Sequence, residues 1–367
     1  MRIIHLLNHC RFGHGNVHAA VDLACAQKDL GFSPSIASGD GEFRALLIER
    51  GIDHALLDQE DRRPHRVAAL LWRFSRYIRA FRPDIIHAHM MSGAVIGAAC
   101  GRLAGVPLVT TLHNAFDRHA TLMRLGDRVI AVSDPVADQM AARGISRRKL
   151  RTVVNGTLGA PRRDFFDRTP FGWPRPNITT ICGLHDRKGV RDLLAAFDIL
   201  SRRYPDLHLN IVGEGPTGKD YEAIAAAMPA ASRISFPGQI RDTKSVLATT
   251  DIFVLASLAD PCPLVLPEAR EAGCAIVATA VDGIPQALDH GEAGLLVPPQ
   301  DPARLAAAIS GLLDAPERLA AMRQAARRNI DYWSTERVAR QTVAIYAELL
   351  EGRRRNPASV MGAMPAS

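Results

Sequence analysis

The sequence predicts an α/β protein built as two doubly wound, parallel-sheet domains. Three observations carry that reading. Short β-rich runs alternate with amphipathic segments from end to end; within the runs apolar residues do not alternate with polar ones; and the series restarts after about residue 176. Unbroken apolar strands joined by crossover helices belong to parallel sheets covered on both faces.

Taken in order, residues 1–155 offer strands at RIIHLLN, SPSIAS, DIIHAH, PLVTTLH, RVIAVS and LRTVVN. Helical patterns at NVHAAVDLACAQKDLG and SGAVIGAACGRLAG lie between them. The stretch TLGAPRRDFFDRTPFGWPRPN is rich in Pro, Arg and Gly and shows no period, which suits a linker. The second series offers NITTIC, LHLNIVG, RISFPG, DIFVLAS, CAIVAT and GLLVP, with helices at RDLLAAFDILSRRY and DPARLAAAISGLLD. The expected organisation is a first domain over residues 1–160, a linker over 161–176 and a second domain over 177–335. A C-terminal helix is expected over 336–352, and a disordered tail over 353–367, where period and large apolar residues are lacking. Ligands of doubly wound sheets bind outside the carboxyl ends of the strands, so the two domains are expected to face a central crevice there.

Composition narrows the class. No window reaches the ~18 uninterrupted apolar residues of a membrane span. The opening MRIIHLLNHCRFGHG reads as a first strand, without the length or cleavage site of a signal peptide. Six scattered cysteines with no CxxC pair fit buried free thiols in a reducing cytoplasm. The net charge of +7 favours anionic partners. Aromatics are few and dispersed among the arginines, so nucleic acid is not expected. Only Lys28, Lys149, Lys188, Lys219 and Lys244 are lysine, which draws attention to each.

Two stretches of the second half carry chemistry. In ADPCPLVLPEAREAG, Asp260 and Glu268 bracket an apolar loop containing Pro261, Pro263 and Pro267. Proline is comfortable only in a helix's first turn, so a helix is expected to begin between Pro263 and Pro267. Its unpaired amides and dipole would offer a phosphate site, and acids beside phosphate suit sugar hydroxyls. The alternative is that Glu268 complements the helix dipole and Asp260 caps the helix. In CGLHDRKGVRDLLAAF a glycine turn, then Arg187 and Lys188, precede a helix, as a diphosphate requires; a solvated basic turn is the alternative. A tight turn, VGEGP, follows the next strand.

These pieces resemble a retaining glycosyltransferase of family 4. GLHDRKGVRDLLAAF, IVGEGP, the acid-x7-acid segment DPCPLVLPE followed by AREAGCAIVAT, and VDGIPQALDHGEAGLLVPPQDPARLAAAI match in order. RPDIIHAH, AGVPLVTTLH, DRVIAVS and VVNG match more loosely in the first half. The resemblance implies the GT-B fold, with two Rossmann-like domains: an N-terminal one for the acceptor and a C-terminal one for the sugar nucleotide. It implies that Glu268 holds the nucleotide ribose, and that Asp260 contacts donor-sugar hydroxyls. The family usually has Glu in that first position; Asp260 is one methylene shorter. Lys188 maps onto the basic residue at the donor diphosphate. Leu184 stands where the family commonly has arginine, and Arg187 is the candidate to replace it. Gly183, Glu214, Pro263, Leu264 and Val265 fall within the donor-binding stretches.

In the first half, Gly13 and Gly15 of FGHGNVH correspond to the family loop that approaches the diphosphate or leaves room for the sugar. As a dinucleotide fingerprint GxGxxG is incomplete, because His18 occupies the third glycine position, which weakens a nicotinamide oxidoreductase. His113 matches the family histidine near the donor sugar and the acceptor. His87, His89 and His113 also raise the question of a metal, but no further ligand set is recognisable and none is expected.

The implied reaction is retaining, metal-independent transfer of a hexose from a UDP- or GDP-sugar to a glycan or lipid-linked acceptor, as in bacterial polysaccharide or lipopolysaccharide assembly. Lys188, Asp260 and His113 are its expected catalytic residues, and no cofactor beyond the substrate is expected. A sugar-nucleotide isomerase or epimerase would share the donor site. The cytoplasm is the expected location, with peripheral contact to an anionic membrane through DRRPHRVAALLWRFSRYIRAFRP, where Arg73, Arg76, Arg79 and Arg82 recur every third residue. Arg62, Arg63 and Arg66 add charge before it. An ordinary crossover helix with a solvated face is the alternative.

Overall fold

The computed structural model describes residues 1–61, 63–166 and 172–355. Among these the chain forms two compact units: Met1–Arg162 with the residues from Ser334 onward, and Arg163–Trp333. Each has its own parallel sheet.

In the first unit, strands β1 (Arg2–Leu6), β2 (Ser33–Ser38), β3 (Asp53–Leu56), β4 (Ile85–Ala88), β5 (Leu108–Leu112), β6 (Arg128–Ala131) and β7 (Leu150–Thr152) lie in the order β3-β2-β1-β4-β5-β6-β7. The sequence reading misses β3. It is an edge strand, DHAL, with no fully buried side chain and so no apolar run. Side chains alternate across a strand, and this sorts the core into two layers. Ile4, Leu6, Ile86, Leu108 and Val129 pack with Phe74 and Ile78 of helix Pro64–Phe81 and Ala94 of helix Met91–Ala104. Ile3, Ile85, Val109 and Ile130 face the other way, onto Ile345, Tyr346 and Leu349.

Those last three residues belong to helix Thr335–Arg355, which closes the first unit. Residues 353–355 therefore continue the helix instead of starting a tail. Cations favour a helix C-terminus, and Arg353 donates to the Gly105 carbonyl at 2.9 Å. The remainder of the expected tail, 356–367, lies outside the described residues, as does Arg62.

In the second unit, β8 (Asn177–Ile181), β9 (His208–Val212), β10 (Ile234–Gly238), β11 (Ile252–Leu255), β12 (Ala275–Thr279) and β13 (Leu295–Val297) lie in the order β10-β9-β8-β11-β12-β13. Leu209, Ile211, Val254 and Val277 pack with Leu193 and Phe197 of helix Val190–Arg203 and Ile309 of helix Pro302–Leu313. The expected linker holds a short helix, Arg162–Phe165, where the chain passes between units; its residues 167–171 lie outside the described residues.

In each sheet the connections leave in opposite directions from one adjacent pair, β1 with β4 and β8 with β11, which is where such sheets bind ligands. All six cysteines are free, but Cys182 and Cys262 are only partly buried, unlike the expectation for them. Among the described residues no helix is long and apolar enough to cross a membrane.

Candidate active site

At the β8 and β11 ends of the second unit the structure brings Lys188 and Asp260 together. The Lys188 Nζ makes an ion pair with the Asp260 carboxylate, and Ser257 Oγ donates to Asp260 Oδ2 at 3.3 Å. The pair is largely enclosed, with side-chain exposures of 12% and 7%. A charge taken that far from water must keep a partner.

The backbone fixes both loops. The Arg187 carbonyl accepts from the Leu258 amide at 2.7 Å, and Arg187 Nη1 donates to the Ala259 carbonyl at 3.4 Å. Behind Lys188, Gly189 adopts φ +63°, and a Cβ there would meet the Ala256 carbonyl oxygen at 1.8 Å. Only glycine lets the Lys188 turn lie against the end of β11. The Asp260 amide donates to Asp282 Oδ2 at 2.7 Å, tying the loop to the turn after β12.

The helix after Asp260 runs Val265–Ala272, with Leu264 at its N-cap. Pro267 falls in its first turn, where it displaces no helical hydrogen bond. Pro263 is buried, whereas Leu264 and Val265 are partly exposed at the helix start. Glu268 follows within the same helix and is buried. Thr243 Oγ1 donates to its Oε2 at 3.3 Å, and Arg163 Nε lies 3.9 Å from its Oε1. Arg163 also pairs with Glu271. The sequence reading misses Arg163 and Thr243: the first sits in a stretch read as linker, the second in a short polar turn.

Gly183 is partly exposed after β8, and Glu214 is exposed after β9. The Glu214 carbonyl accepts from Leu184 at 2.9 Å, and its Oε1 accepts from the Gln239 amide at 3.4 Å. Buried Leu184 occupies the place of the missing arginine with core packing.

The other predicted residues lie in the first unit. Gly13 has φ +87°, and its amide donates to His18 Nε2 at 3.2 Å, so that N–H is engaged within its own loop. Gly15 opens helix Gly15–Asp29, and a Cβ there would meet nothing within 4 Å. His113, just past β5, lines a small cleft with Met90, Thr111 and Asn114. Its Nε2 lies 3.2 Å from His89 Nδ1. Burial pulls the His113 pKa down to about 4, so the ring is neutral near pH 7. The histidine set also includes His5, which the sequence reading misses: His5, His87 and His89 hold ring nitrogens within 4.8 Å of one another.

A lysine shared with a carboxylate, a second buried acid and an open helix start can together hold a phosphorylated, hydroxyl-bearing ligand. The profile of "Glycosyltransferase Family 4" matches residues 15–157, and that of "Glycosyl transferases group 1" matches residues 175–315. The glycogen synthase of Mycobacterium tuberculosis is 31% identical over 299 residues, covering 75% of this chain and 71% of the relative. The chain belongs to glycosyltransferase family 4.

This family 4 enzyme is also 28% identical over 275 residues to the phosphatidyl-myo-inositol mannosyltransferase of Mycolicibacterium smegmatis, covering 72% of this chain and 70% of the relative. Its fold is that of Anabaena HepE, solved in complex with UDP-glucose. The TM-score is 0.79 at 21% identity, over 96% of this chain and 100% of that one. The glycosyltransferase is thus of the GT-B type.

Proposed function

We propose that this enzyme transfers a hexose from a nucleotide-sugar donor to a hydroxyl of a glycan or lipid-linked acceptor, with retention and without a metal ion. The observation that carries the proposal is the enclosed Lys188–Asp260 pair at the end of β11, eight residues before buried Glu268. A diphosphate competes with Asp260 for Lys188, and the freed carboxylate then accepts from hydroxyls of the donor sugar. Glu268 receives the ribose hydroxyls. Lys188, Arg187 and the helix start at Val265 oppose the charge that develops on the departing diphosphate, the role a divalent ion would otherwise fill. His113 hydrogen-bonds a sugar or acceptor hydroxyl. The HepE complex with UDP-glucose supports a UDP-sugar, with GDP-sugars the other candidates.

The test is incubation with a panel of UDP- and GDP-hexoses, read first by thermal stabilisation and then by transfer in excess EDTA. Donor-dependent stabilisation, transfer that survives chelation and a product with the donor's anomeric configuration are expected. Loss of transfer on chelation with recovery in manganese or magnesium overturns the metal-free reading, and an inverted product overturns retention.

Contact with an anionic membrane, bringing a lipid-linked acceptor to the first unit, is part of the same proposal. In helix Pro64–Phe81, Phe74, Ile78 and Phe81 are committed to the core. Trp72 remains 59% exposed, with Arg73, Arg76 and Arg79 on the exposed side. Arg82 ends the helix at φ +50°. The contact would therefore be electrostatic, with one aromatic anchor.

A further inference from the structure

Three histidines of the first unit, His5, His89 and His113, are joined ring to ring, and His87 stacks beside them. His5 follows Ile3 on β1, His87 follows Ile85 on β4, His89 comes next, and His113 follows Val109 and Thr111 on β5. All share one sheet face, with His5 in register with His87. Buried Gln27, on helix Gly15–Asp29, and Tyr346, on helix Thr335–Arg355, complete the set.

A neutral imidazole has one N–H and one lone pair, so a chain of them has a direction. His5 Nε2 lies 2.8 Å from Gln27 Oε1. A carboxamide oxygen only accepts, so the hydrogen sits on His5 Nε2 and the lone pair on its Nδ1. That lone pair lies 3.0 Å from His89 Nε2, which must donate. His89 Nδ1 is then the acceptor for His113 Nε2 at 3.2 Å. His113 Nδ1 is left with a lone pair, and no protein partner for it is present among the described residues.

The other end of the amide meets a second branch. Gln27 Nε2 donates to the Tyr346 hydroxyl at 3.5 Å. That hydroxyl lies 2.5 Å from His87 Nδ1, and His87 Nε2 lies 2.7 Å from Thr111 Oγ1; both hydroxyls can donate or accept, so this branch takes either sense. Reversing the Gln27 amide would reverse the hydrogens of His5, His89 and His113 together, because any partial reversal along that branch sets two donors or two lone pairs against each other in a buried site. Burial keeps the four rings neutral, with His5 and His113 near pKa 4 and His87 and His89 pushed well down. Both ring nitrogens of His5 and of His87 are consumed by these bonds, which makes the cluster a relay and not a ready ligand set.

We propose that Gln27 is a positioning residue: acting through His5 and His89, its carboxamide fixes His113 with hydrogen on Nε2, so that His113 meets a sugar hydroxyl as an acceptor at Nδ1. The encounter with a hydroxyl rests on the transfer reading above; the tautomer does not.

The experiment is a long-range proton–nitrogen NMR spectrum of the full chain labelled with nitrogen-15 histidine at pH 7. The His113 signals are assigned by their loss in His113→Gln. A single neutral tautomer with hydrogen on Nε2 is expected for His113. Gln27→Met should mix the His113 tautomers and lower kcat on the order of tenfold, with the donor KM within about twofold. His89→Leu should mix the tautomers too, because it removes the acceptor of His113 Nε2, and serves if Gln27→Met does not fold. Hydrogen on Nδ1 of His113, an imidazolium at pH 7, or wild-type spectra from both variants overturns the relay. A His113→Gln enzyme that transfers at the wild-type rate overturns the role given to His113, whatever the spectrum shows.

Discussion

In the first unit, His5, His87, His89 and His113 line the carboxyl ends of the strands as neutral rings held by one another, Gln27 and Tyr346. In the second unit the same place in the sheet holds charge: Lys188 against Asp260, and Glu268 beside Arg163. Similar architecture thus carries two kinds of polar network. Neutral rings avoid most of the cost of desolvating ions, and each hydrogen bond fixes where a proton sits. An enclosed ion pair can exchange partners when an anion arrives, because a phosphate can replace the carboxylate on the lysine. In the proposed function the first arrangement would hold one hydroxyl in one sense, and the second would meet a diphosphate.

The sharpest way to break this comparison is to remove the lysine. Lys188→Ala should lower kcat by on the order of 10²–10³-fold, as expected for losing a group that opposes developing charge. It also strands Asp260, so the melting temperature should fall. The double variant Lys188→Ala with Asp260→Asn should recover much of that stability and none of the transfer. Steady-state rates beside melting curves decide it; a double variant that transfers like wild type would take Lys188 out of the chemistry.

Acid should separate the units next. A histidine whose folded pKa lies below its unfolded value of 6.5 contributes stability above that value, which is lost as pH falls towards the folded pKa. For His5, held near 4 by burial, the window runs from about pH 6.5 down to 4 and is worth ~3 kcal/mol. The buried neighbours add to it in the same direction. Hydrogen exchange followed from pH 7 to 4.5 should show β1, β4 and β5 losing protection before β8 and β11. The reverse order would mean that the histidines are not buried neutral.

The smallest effect concerns the surface of the first unit. Replacing Arg73, Arg76 and Arg79 by Glu should abolish co-sedimentation with anionic liposomes at low salt and leave transfer to a soluble acceptor within about twofold, since each such arginine is worth ~1 kcal/mol near an anionic surface. Equal sedimentation of both proteins, or none by wild type, removes this helix as the contact.

Much of this was legible before any coordinates. Twelve β-rich runs became twelve of the strands because most of them are central and covered on both faces, which leaves little polar alternation, while DHAL, an edge strand half out of the core, leaves no apolar run. Lys188, Asp260 and Glu268 stood out through residue type, proline placement and spacing. Arg163 did not, because a long side chain reaching back from a connecting stretch has no periodicity. The histidine relay was half legible: RIIH, DIIHAH and TTLH place imidazoles at every second position beyond apolar residues, which puts them on one face once the sheet is known to be parallel. Gln27 and Tyr346 came from two helices distant in the chain, and no local pattern marks a hydrogen bond between them.

The helix that carries Tyr346 has a further consequence, for the order in which the molecule is made. Ile3, Ile85, Val109 and Ile130 leave the ribosome early, yet the side chains that cover them, Ile345, Tyr346 and Leu349, come only after the whole of Arg163–Trp333. At ~5–20 residues per second that face of the first sheet stands open for on the order of ten seconds or more while the second unit is synthesised. The unit begun first is the last to be finished, and a nascent chain stalled before residue 345 presents a hydrophobic sheet to whatever chaperone is near.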